Sequence, residues 1–542
     1  MHNNLVVILL AAGALYAQDV QTPPAPTGSI SGVVQFEGTG KPVEGGFVVI
    51  DPGNKNTKTD AQGKYAQHDL APGTYRIRVD SMNAASVSKA VSLLAGQDLT
   101  VDFHLPAPGS ITGRIVDENK EPVPDIRVSL VAREYQFGEL HYVYTGVTTS
   151  NDKGEYRLAP VAPGRGYLVV AEKRAPLHAI SDAPADPRLR KRVPVPTYYD
   201  GADSPEGGQV LVLRSGEQRE GVDIRMLRSP SYCLEGVLEG ANGPRQMYFA
   251  IGERQPAFGM SGAGGTAGMP PGGRTGTDGK IRICDLHPGD YELTAFALDG
   301  NESVSVFGST SVSITDGDVG KVALIPAPHL TVPGEVVWDG KAPDKPVQAK
   351  LGLWLMPVAR PFFKHEPDGL FPKTAIPGQF SLPNLLMDSY NLRLLGVPDD
   401  LYVKDITYSG QSILHKPLNV GSAIGKATLR IVVATDGGVV AGKVTDKDGN
   451  PIPDASVTVM PANAESEAIL AAALVSEPAD QNGAWSTKRL APGKYYIVAS
   501  TAPFDMTPES IGRLWQMHTK AQEVELGPGA TVQMTLVPMP ED

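Results

Sequence analysis

One short segment recurs along this chain and restricts the possible folds more than any other feature. The copy at 480–499 reads as a turn, a short strand, a second turn and a further strand. Comparable copies lie at 60–79, 151–169 and 278–293, with a degenerate copy at 377–394. In the four clear copies the turn glycine and the proline of the second turn are nine residues apart, as are Gly63 and Pro72. Insertions fall elsewhere, so the spacing indicates a repeated unit of fixed geometry.

Turn chemistry explains this spacing. At the second turn, proline presets φ for the first central position of a type II turn, and the next glycine, such as Gly73, takes the positive φ of the second. The first turn has the pattern Asp/Asn-x-x-Gly, in which Gly63 and Gly154 are expected at left-handed positions. The segment therefore predicts short strands joined by tight turns.

Large apolar side chains alternate with polar ones around these turns. After the second turn the chain reads Tyr75-Arg-Ile77-Arg-Val79, a period of two that is typical of strands with one buried face. Two places after each first-turn glycine stands a large residue: Tyr65, Tyr156, Ile281, Phe380 or Trp485. We expect these residues to pack in a core, whereas a ligand platform would need them exposed.

Each copy is preceded by an opening strand and followed by a closing strand. The last opening reads Val440-Ala-Gly442-Lys-Val444, then a polar turn, then a strand up to Val459. Earlier openings lie at 30–34 and 111–117, and closing strands at 99–105, 222–226, 428–433 and 532–536.

These two motifs, at 442–459 and 480–499 with their earlier copies, resemble the carboxypeptidase regulatory-like domain. That family overlaps with the Cna protein B-type and prealbumin-like sandwiches and is grouped with carbohydrate-binding-like folds. The resemblance extends over nearly everything from residue 28 to residue 538, and it implies about seven strands in two sheets per module. The resemblance is specific for the fold, but it says little about function because the family serves many functions. It also leaves open a lysine–asparagine isopeptide bond, as in some Cna B-type domains, although no lysine recurs on the opening strands.

At 542 residues the chain is too long for one core and fits about five sandwiches of roughly 100 residues. We therefore predict an all-β chain: a tandem array of about five Ig-like or prealbumin-like β-sandwich modules, with short helices in the last one. The predicted bounds are 28–105 (module 1), 109–227 (module 2), 230–325 (module 3), 326–435 (module 4, the most divergent) and 437–538 (module 5).

The N-terminus predicts export. An apolar run at 5–12 leads through small residues to Ala17, which is typical of a secretory signal peptide at 1–17, although no Lys or Arg precedes the run. The run is too short to span a bilayer, and we expect no transmembrane segment after it. Residues 18–27 are Pro-rich and predict an extended tether. We expect a secreted or periplasmic protein.

The formal net charge of −12 argues against nucleic acid or an anionic membrane as the main partner. A glycan or an envelope protein is the expected partner, and the oligomeric state stays open. The two cysteines, Cys233 and Cys284, both lie in module 3. They are either a disulfide, as an exported protein allows, or two buried thiols.

Module 2 carries two insertions, at 135–144 and 175–208. The first includes Tyr142 and Tyr144 in a stretch that alternates like a hairpin arm, and the second includes Tyr198 and Tyr199. These four residues are the clustered aromatics outside the strand motif, so they are the candidate ligand-binding residues for a sugar, which stacks on aromatic rings. The alternative is a loop that packed tyrosines hold in place.

Two further segments are singled out by composition. The basic run 188–192 predicts a solvated loop or helical turn, or a contact with an anion or a partner. The segment 258–279 in module 3 is Gly-rich and predicts a loop. It formally contains a dinucleotide fingerprint, but no strand precedes it and no helix follows, so we give it no weight.

Module 5 contains two helical patterns. Residues 465–475 are rich in Ala and Leu. A second helix is expected to begin at Thr507, with Pro508 at its first position and Ile511, Leu514, Trp515 and His518 on one face. We expect these helices to cap a sandwich edge.

No catalytic motif is present in the sequence. None of the ten histidines has Glu three residues later, and His-Glu-x-x-His, Cys-x-x-Cys, Gly-x-Ser-x-Gly and a phosphate loop are all missing. Asp446-Lys-Asp448-Gly449 begins like a calcium loop, but Val457 stands where that loop needs Glu, so a strand-connecting turn is expected. The sequence predicts no catalytic residue, no metal, no cofactor and no enzymatic activity.

Three functions remain. The first is an exported non-enzymatic protein that acts in binding or adhesion, or as a structural spacer, at the bacterial cell envelope. The second is carbohydrate binding through the four tyrosines of module 2. The third is an accessory subunit that positions a peptidase.

Overall fold

The computed structural model describes residues 26–53, 55–81, 84–173, 181, 183–184, 186–240, 243–244, 247–253, 258–260, 272–298, 304–324, 329–340, 342, 347, 350–358, 373–421 and 427–539. The signal peptide, the tether up to residue 25 and residues 261–271 of the Gly-rich segment lie outside the described residues.

The described residues form 44 strands and two α-helices. Those of module 1 are β1 (Gly28–Phe36), β2 (Phe47–Asp51), β3 (Lys55–Lys58), β4 (Lys64–Leu70), β5 (Gly73–Ser81), β6 (Ala84–Leu93), β7 (Asp98–Thr100) and β8 (Phe103–Leu105). Those of module 2 are β9 (Gly109–Val116), β10 (Arg127–Gln136), β11 (Glu139–Thr149), β12 (Glu155–Val161), β13 (Gly166–Glu172), β14 (Val193–Pro194), β15 (Thr197–Tyr198), β16 (Leu211–Val212), β17 (Gln218–Arg219) and β18 (Ile224–Arg225), followed by β19 (Arg228–Ser229).

Module 3 contains β20 (Tyr232–Gly240), β21 (Gly243–Pro244), β22 (Tyr248–Glu253), β23 (Phe258–Met260), β24 (Gly272–Arg274), β25 (Lys280–Leu286), β26 (Gly289–Leu298), β27 (Val304–Ile314) and β28 (Val319–Leu324). Module 4 contains β29 (Leu330–Trp338), β30 (Leu351–Pro357), β31 (Lys373–Thr374), β32 (Gly378–Leu385), β33 (Asp388–Leu395), β34 (Tyr402–Tyr408), β35 (Gln411–Ser412), β36 (Leu418–Val420) and β37 (Leu429–Ala434). Module 5 contains β38 (Val439–Val444), β39 (Ser456–Pro461), α1 (Glu467–Ala473), β40 (Val475–Pro478), β41 (Ala484–Ser486), β42 (Gly493–Ser500), α2 (Pro508–Met517), β43 (Gln522–Leu526) and β44 (Thr531–Leu536).

Each module has two main sheets that share one apolar core. The orders are β4-β1-β7 with β8 and β3-β2-β5-β6 in module 1, and β12-β9-β17 with β18 and β15-β13-β10-β11-β23 with β16 in module 2, where β23 comes from module 3 and pairs parallel with β11. They are β21-β20-β25 with β28 and β24-β22-β26-β27 in module 3, β32-β29-β37-β34-β35 and β31-β30-β33-β36 in module 4, and β41-β38-β44 and β40-β39-β42-β43 in module 5. Five separate core clusters follow the same grouping. The all-β tandem-sandwich prediction is thereby confirmed.

The opening strand occupies the same place in every module. The short strand after the first turn pairs antiparallel to one side of it, and the closing strand pairs parallel to the other side, as β41 and β44 do with β38. Modules 1 to 4 repeat this arrangement around β1, β9, β20 and β29. Each module is therefore closed by its own first and last strands.

The glycine of the opening strand is required by this closure. A Cβ built on Gly113 would lie 1.9 Å from the carbonyl oxygen of Val222, and one on Gly442 would lie 1.8 Å from that of Met534. Gly32 meets the carbonyl of Val101 in the same way, at 2.0 Å. The closing strand approaches so closely that any side chain at these positions would displace it.

In module 2 the close approach coincides with a break between β17 and β18. The Tyr156 hydroxyl donates to the carbonyl of Val222 at 2.6 Å, and the carboxylate of Asp223 accepts from the Arg114 amide at 2.8 Å. Burial raises the pKa of Tyr156 well above its ordinary value. Module 1 repeats the pattern with its own tyrosine and aspartate. The aromatic residue after the first turn therefore packs in the core, as predicted, and also satisfies a buried carbonyl.

The first turns have the predicted geometry, with φ values of 74° at Gly63 and 70° at Gly483. The second turns differ from the type II prediction. Gly164 has a positive φ of 85°, but Gly73 has a φ of 159°, close to extended. In module 1 the left-handed position belongs instead to Asp69, with φ of 58°, where β4 bulges against β1. Aspartate tolerates a positive φ better than most residues do. The chain of module 1 therefore turns at Asp69, before it reaches Pro72 and Gly73.

A tyrosine secures each second turn. The hydroxyls of Tyr75, Tyr291, Tyr390 and Tyr495 each donate to the carbonyl four residues earlier, at 2.7 to 3.1 Å. Tyr167 does the same to a carbonyl five residues earlier. Module 4 keeps this bond although it lacks the Pro-Gly pair, so the tyrosine, as in the tyrosine corner of other sandwiches, is the more constant part of the motif.

Both helices of module 5 lie where the sequence predicts them. Thr507 caps α2 by accepting from the Ser510 amide at 3.3 Å, and Pro508 occupies the first turn. The expected position at a sheet edge is wrong, because the helices cover the outer face of the β39–β42 sheet, where Met460 and Val498 lie in the same apolar cluster as the helices. Within the described part of the chain, no helix is long and apolar enough to cross a membrane.

Candidate functional site

The four tyrosines proposed for sugar binding are not one exposed platform. Tyr142 and Tyr198 are each 2% exposed and form an apolar cluster with Leu168, against which Tyr144 is half-buried. Tyr199 is half-buried against the main core of module 2 instead. The second-insertion loop is therefore held by packed tyrosines, which was the alternative interpretation.

The hydroxyl of Tyr142 forms a hydrogen bond inside this cluster. It donates to the carboxylate of Glu206 at 3.2 Å, and burial together with that carboxylate raises the pKa of Tyr142 to about 12. A ring of a residue that is only 2% exposed cannot stack on a sugar. The expectation that all four tyrosines are exposed is therefore corrected, because only the half-buried Tyr144 and Tyr199 retain accessible surface. Sugar binding at these two residues stays a prediction.

The basic run serves a contact within the chain. Arg190 binds both carboxylate oxygens of Asp318 in module 3, at 2.6 and 2.8 Å, and its side chain is 2% exposed. This pairing lowers the pKa of Asp318. The same carboxylate accepts from the Cys233 amide at 2.8 Å. The second insertion of module 2 is thereby tied to the opening strand of module 3.

Cys233 on β20 and Cys284 on β25 are joined by a disulfide, and both residues are buried. The bond links the two neighbouring strands beside the Asp318 contact. Whether the protein carries this bond in solution stays a prediction.

The first insertion of module 2 forms the tip of the β10–β11 hairpin, and this tip contacts two other modules. Tyr135 packs against the helix cluster of module 5, and its amide donates to the Met506 carbonyl at 2.6 Å. The Phe137 ring meets the Trp354 ring of module 4 edge to face, with centroids 6.1 Å apart. A single two-stranded arm therefore fixes module 2 against modules 4 and 5.

The arm makes two further contacts: a hydrogen bond with module 4 and a close backbone approach to α1 of module 5. The Asn391 side chain of module 4 donates to Glu139 at 3.4 Å, and burial raises the pKa of Glu139 against the opposing effect of this hydrogen bond. Gly138 has a φ of 78°, and a Cβ there would lie 2.9 Å from the Ala468 carbonyl of α1. The turn of the arm therefore requires glycine for both its conformation and its neighbour.

A cleft of about 1010 Å³ lies where modules 1, 4 and 5 meet. Its lining includes Tyr75 and Arg76 from module 1, Asp399 from module 4, and Trp485 and Lys488 from module 5. Both aromatic residues are less than a tenth exposed. The cleft therefore offers a ligand a lining of mixed polar and apolar groups, with little of either aromatic ring exposed.

Many charged groups of the cleft bind one another. Lys488 pairs with Asp399 at 2.8 Å, and Arg76 pairs with Glu477. Burial raises the pKa of Glu477, and the Arg76 cation opposes this effect. Among the described residues, no group of three or more His, Cys, Asp or Glu side chains has the arrangement of a metal site. The geometry of these charged groups therefore supports contacts between modules.

The turn predicted at Asp446 is present. Its carboxylate accepts from the Asp448 and Asn450 amides at 2.9 and 2.8 Å, and hydrogen bonding lowers the pKa of Asp446. All these acceptor contacts come from the turn itself, in agreement with a strand connection.

Sequence reasoning missed the residues that join distant modules, among them Phe137, Trp354 and Gln481. Their neighbours in sequence carry ordinary strand or turn patterns. The one available signal is the aromatic Phe137 beside Gly138 at the point where the insertion turns.

Comparison with known proteins supports the fold. Residues 29–106, which span module 1, match the model of the carboxypeptidase regulatory-like domain. Among curated proteins, none matches the sequence.

Similar solved structures include the Bacillus anthracis TIE protein, with 10% identity, a TM-score of 0.15 and coverage of 79% of this chain and 73% of that one. The major pilin subunit BcpA of Bacillus cereus has 14% identity and a TM-score of 0.15, with coverage of 57% and 99%. The minor pilin GBS52 of Streptococcus agalactiae has 12% identity and a TM-score of 0.19, with coverage of 44% and 100%. At these TM-scores the similarities carry no argument about function.

Proposed function

We propose that this chain is an exported, non-enzymatic binding or adhesion protein of the bacterial cell envelope, whose five sandwiches form one folded-back body. The observation that carries the proposal is the set of contacts between modules far apart in sequence. The β10–β11 arm joins module 2 to modules 4 and 5, and module 1 contacts module 5 through Arg76 and Glu477. A chain folded in this way presents surfaces of several modules together.

The same contacts favour binding over the spacer function. A spacer separates its ends, and an array of five sandwiches does this best when each module touches only its sequence neighbours. Here the first module lies against the last. Packing the modules together brings residues of several modules onto one surface. Such a surface suits binding better than it suits the separation of two ends.

Two observations support export. The apolar run at 5–12 with small residues up to Ala17 has the pattern of a secretory signal peptide. The disulfide between Cys233 and Cys284 belongs in an oxidising compartment.

The test is co-sedimentation of the purified chain with isolated bacterial envelopes. We expect saturable retention that unlabelled chain displaces. Phe137→Ala, which removes the ring contact with Trp354, should weaken retention by loosening the array. Phe47→Ala removes an aromatic ring that is 48% exposed on module 1 and serves as the matched control.

Two outcomes would overturn the proposal. One is retention that does not saturate or that Phe137→Ala leaves at the level of the control. The other is turnover of peptide substrates by the purified chain that depends on added zinc and is abolished by a chelator, since this would assign the chain to an enzyme class.

A further inference from the structure

Module 1 and module 5 meet through one small set of polar residues, which we call the latch: Arg76, Lys89 and Ser92 on module 1, and Asp454, Glu477, Asp480 and Gln481 on module 5. The latch lies beside the cleft shared by modules 1, 4 and 5, and Arg76, Ser92, Glu477 and Asp480 line that cleft. Its chemistry shows how module 1 is held.

Gln481 pairs with the outer side of β6 as a neighbouring strand would. Its Oε1 accepts from the Ser92 amide at 3.1 Å, and its Nε2 donates to the Ser92 carbonyl at 3.0 Å. A side-chain amide has the same donor and acceptor as a peptide group. It therefore satisfies both backbone groups of an edge-strand residue that the sheet of module 1 leaves unpaired.

Asp480 shows that this turn is specialised. Like Asp60 and Asn151 in modules 1 and 2, it uses one side-chain oxygen to accept from amides of its own turn. Asp60 and Asn151 are exposed, whereas Asp480 is 5% exposed. Its second oxygen accepts from the Ser92 hydroxyl at 2.8 Å. In module 5 the repeated turn therefore also binds the edge strand β6 of module 1.

Two ion pairs complete the latch. Arg76 binds Glu477 and also donates to the Ser476 carbonyl at 3.1 Å, and Lys89 binds Asp454 at 2.9 Å. The side chains are 15% to 41% exposed. Ion pairs in contact with solvent are weak, and salt screens them.

No apolar core crosses this joint in the described part of the chain. The core cluster of module 1 contains residues from Ile30 to Leu105, and that of module 5 contains residues from Val440 to Leu536. The joint between modules 2 and 5 differs, because Tyr135 of module 2 packs into an apolar cluster of module 5. The contact of module 1 with module 5 therefore rests on polar interactions alone, two of them salt-sensitive ion pairs. That of module 2 adds apolar packing to its ion pair between Arg133 and Glu509, and salt does not screen the packing.

From this contrast we infer that module 1 is a lid on the cleft, which opens when the latch is weakened while modules 2, 4 and 5 stay together. The inference rests on the folded-back array proposed above for the joint of modules 2, 4 and 5. Opening removes one wall of the cleft and frees the Asp480–Gln481 turn together with the outer side of β6. The linker around Ala107, whose amide donates to Ser215 of module 2 at 2.8 Å, keeps module 1 attached.

The first test is small-angle scattering by the full chain. Raising the salt from about 0.1 M to about 1 M shortens the screening length from about 10 Å to about 3 Å. We expect the radius of gyration to increase over this range. Arg76→Glu should produce the increase at low salt, and Arg76→Glu with Glu477→Arg should reverse it by restoring the pair with opposite polarity. Arg78→Glu is the control, because Arg78 lies on the same strand but pairs with Asp80 of its own module.

The second test is hydrogen exchange at Ser92, read at single-residue level by fragmentation mass spectrometry. This amide is protected by Gln481, whereas the adjacent Val91 amide faces β5, because amides alternate sides along a strand. Arg76→Glu should accelerate exchange at Ser92 roughly tenfold, the change expected when one surface attraction becomes a repulsion of similar size. Exchange at Val91 should not change, which also verifies that module 1 remains folded.

The outcomes separate the two proposals. A compact scattering profile at all salt concentrations, with Ser92 exchange equal in Arg76→Glu and Arg78→Glu, overturns the lid and leaves the folded-back array intact. An extended profile at every salt concentration overturns both. Equal acceleration at Ser92 and Val91 in Arg76→Glu also overturns the lid, because module 1 would then be unfolding rather than detaching.

Discussion

Replacing Gly113 by alanine tests the closure of a module by its first and last strands. The new Cβ would start 1.9 Å from the Val222 carbonyl oxygen, so β17 and β18 would have to move away by about 1 Å or more before the contact becomes tolerable. That movement breaks or weakens three hydrogen bonds: Val222 amide to Thr112 carbonyl, Tyr156 hydroxyl to Val222 carbonyl, and Arg114 amide to Asp223 carboxylate. At about 1 kcal/mol each, the expected loss is about 3 kcal/mol from the free energy of unfolding of module 2.

Differential scanning calorimetry of the full chain measures this loss. For a sandwich of this size, about 3 kcal/mol lowers the transition temperature by roughly 10 to 20 °C. Hydrogen exchange of peptides from module 2 identifies which transition has moved. Gly146→Ala is the matched control in the same module, because the nearest atom to its Cβ would be 3.6 Å away. Equal shifts in the two variants would refute the claim that close approach of the closing strand is what requires glycine.

Three more predictions concern modules 3 and 5. Tyr495→Phe removes the hydroxyl that holds the second turn of module 5, so we expect a loss of about 1 kcal/mol in the calorimetric transition of that module; no change would show that the turn needs no such bond. Burial lowers the pKa of His287, but its pairing with Glu253 at 2.7 Å outweighs this and leaves the pKa raised. The stability from this pair is fully present below pH of about 6.5 and is lost as the pH rises through the raised pKa; Glu253→Gln should remove that pH dependence from the unfolding of module 3, and an unchanged pH profile would contradict it. Intact mass of the purified protein before and after reduction should differ by two hydrogens if Cys233 and Cys284 are bonded, and equal masses would indicate free thiols.

Features that depend on local chemistry could be predicted from the sequence. Gly63 and Gly483 have the left-handed φ that their turn pattern requires, and Thr507 caps α2 at the expected residue. The alternating pattern placed Tyr65 and Tyr156 in cores, where they are 4% exposed. In each case the residues that determine the structure are close together along the chain or repeat at a fixed period.

Features that depend on contacts between modules could not be predicted. Trp354 and Phe137 are far apart in sequence, and nothing in either stretch identifies the other as its partner. The expected exposure of Tyr142 and Tyr198 in the candidate sugar site was wrong for a related reason. Tyr142 alternates like an exposed hairpin residue, but the loop that carries Tyr198 covers it, and the path of an irregular loop is not encoded in a period. Asp69 similarly took the left-handed position that the Pro-Gly pattern assigned to Gly73.

The arm of module 2 also restricts how such a chain can be rearranged. Tandem sandwiches are often regarded as interchangeable units that recombination can duplicate, delete or transplant. Module 2 does not satisfy that description, because moving it to another array would expose the side chains of Tyr135 and Phe137 to water and leave α1 without its neighbour at Gly138. Module 1, whose own core ends at its boundary, is the better unit for exchange with an unrelated protein.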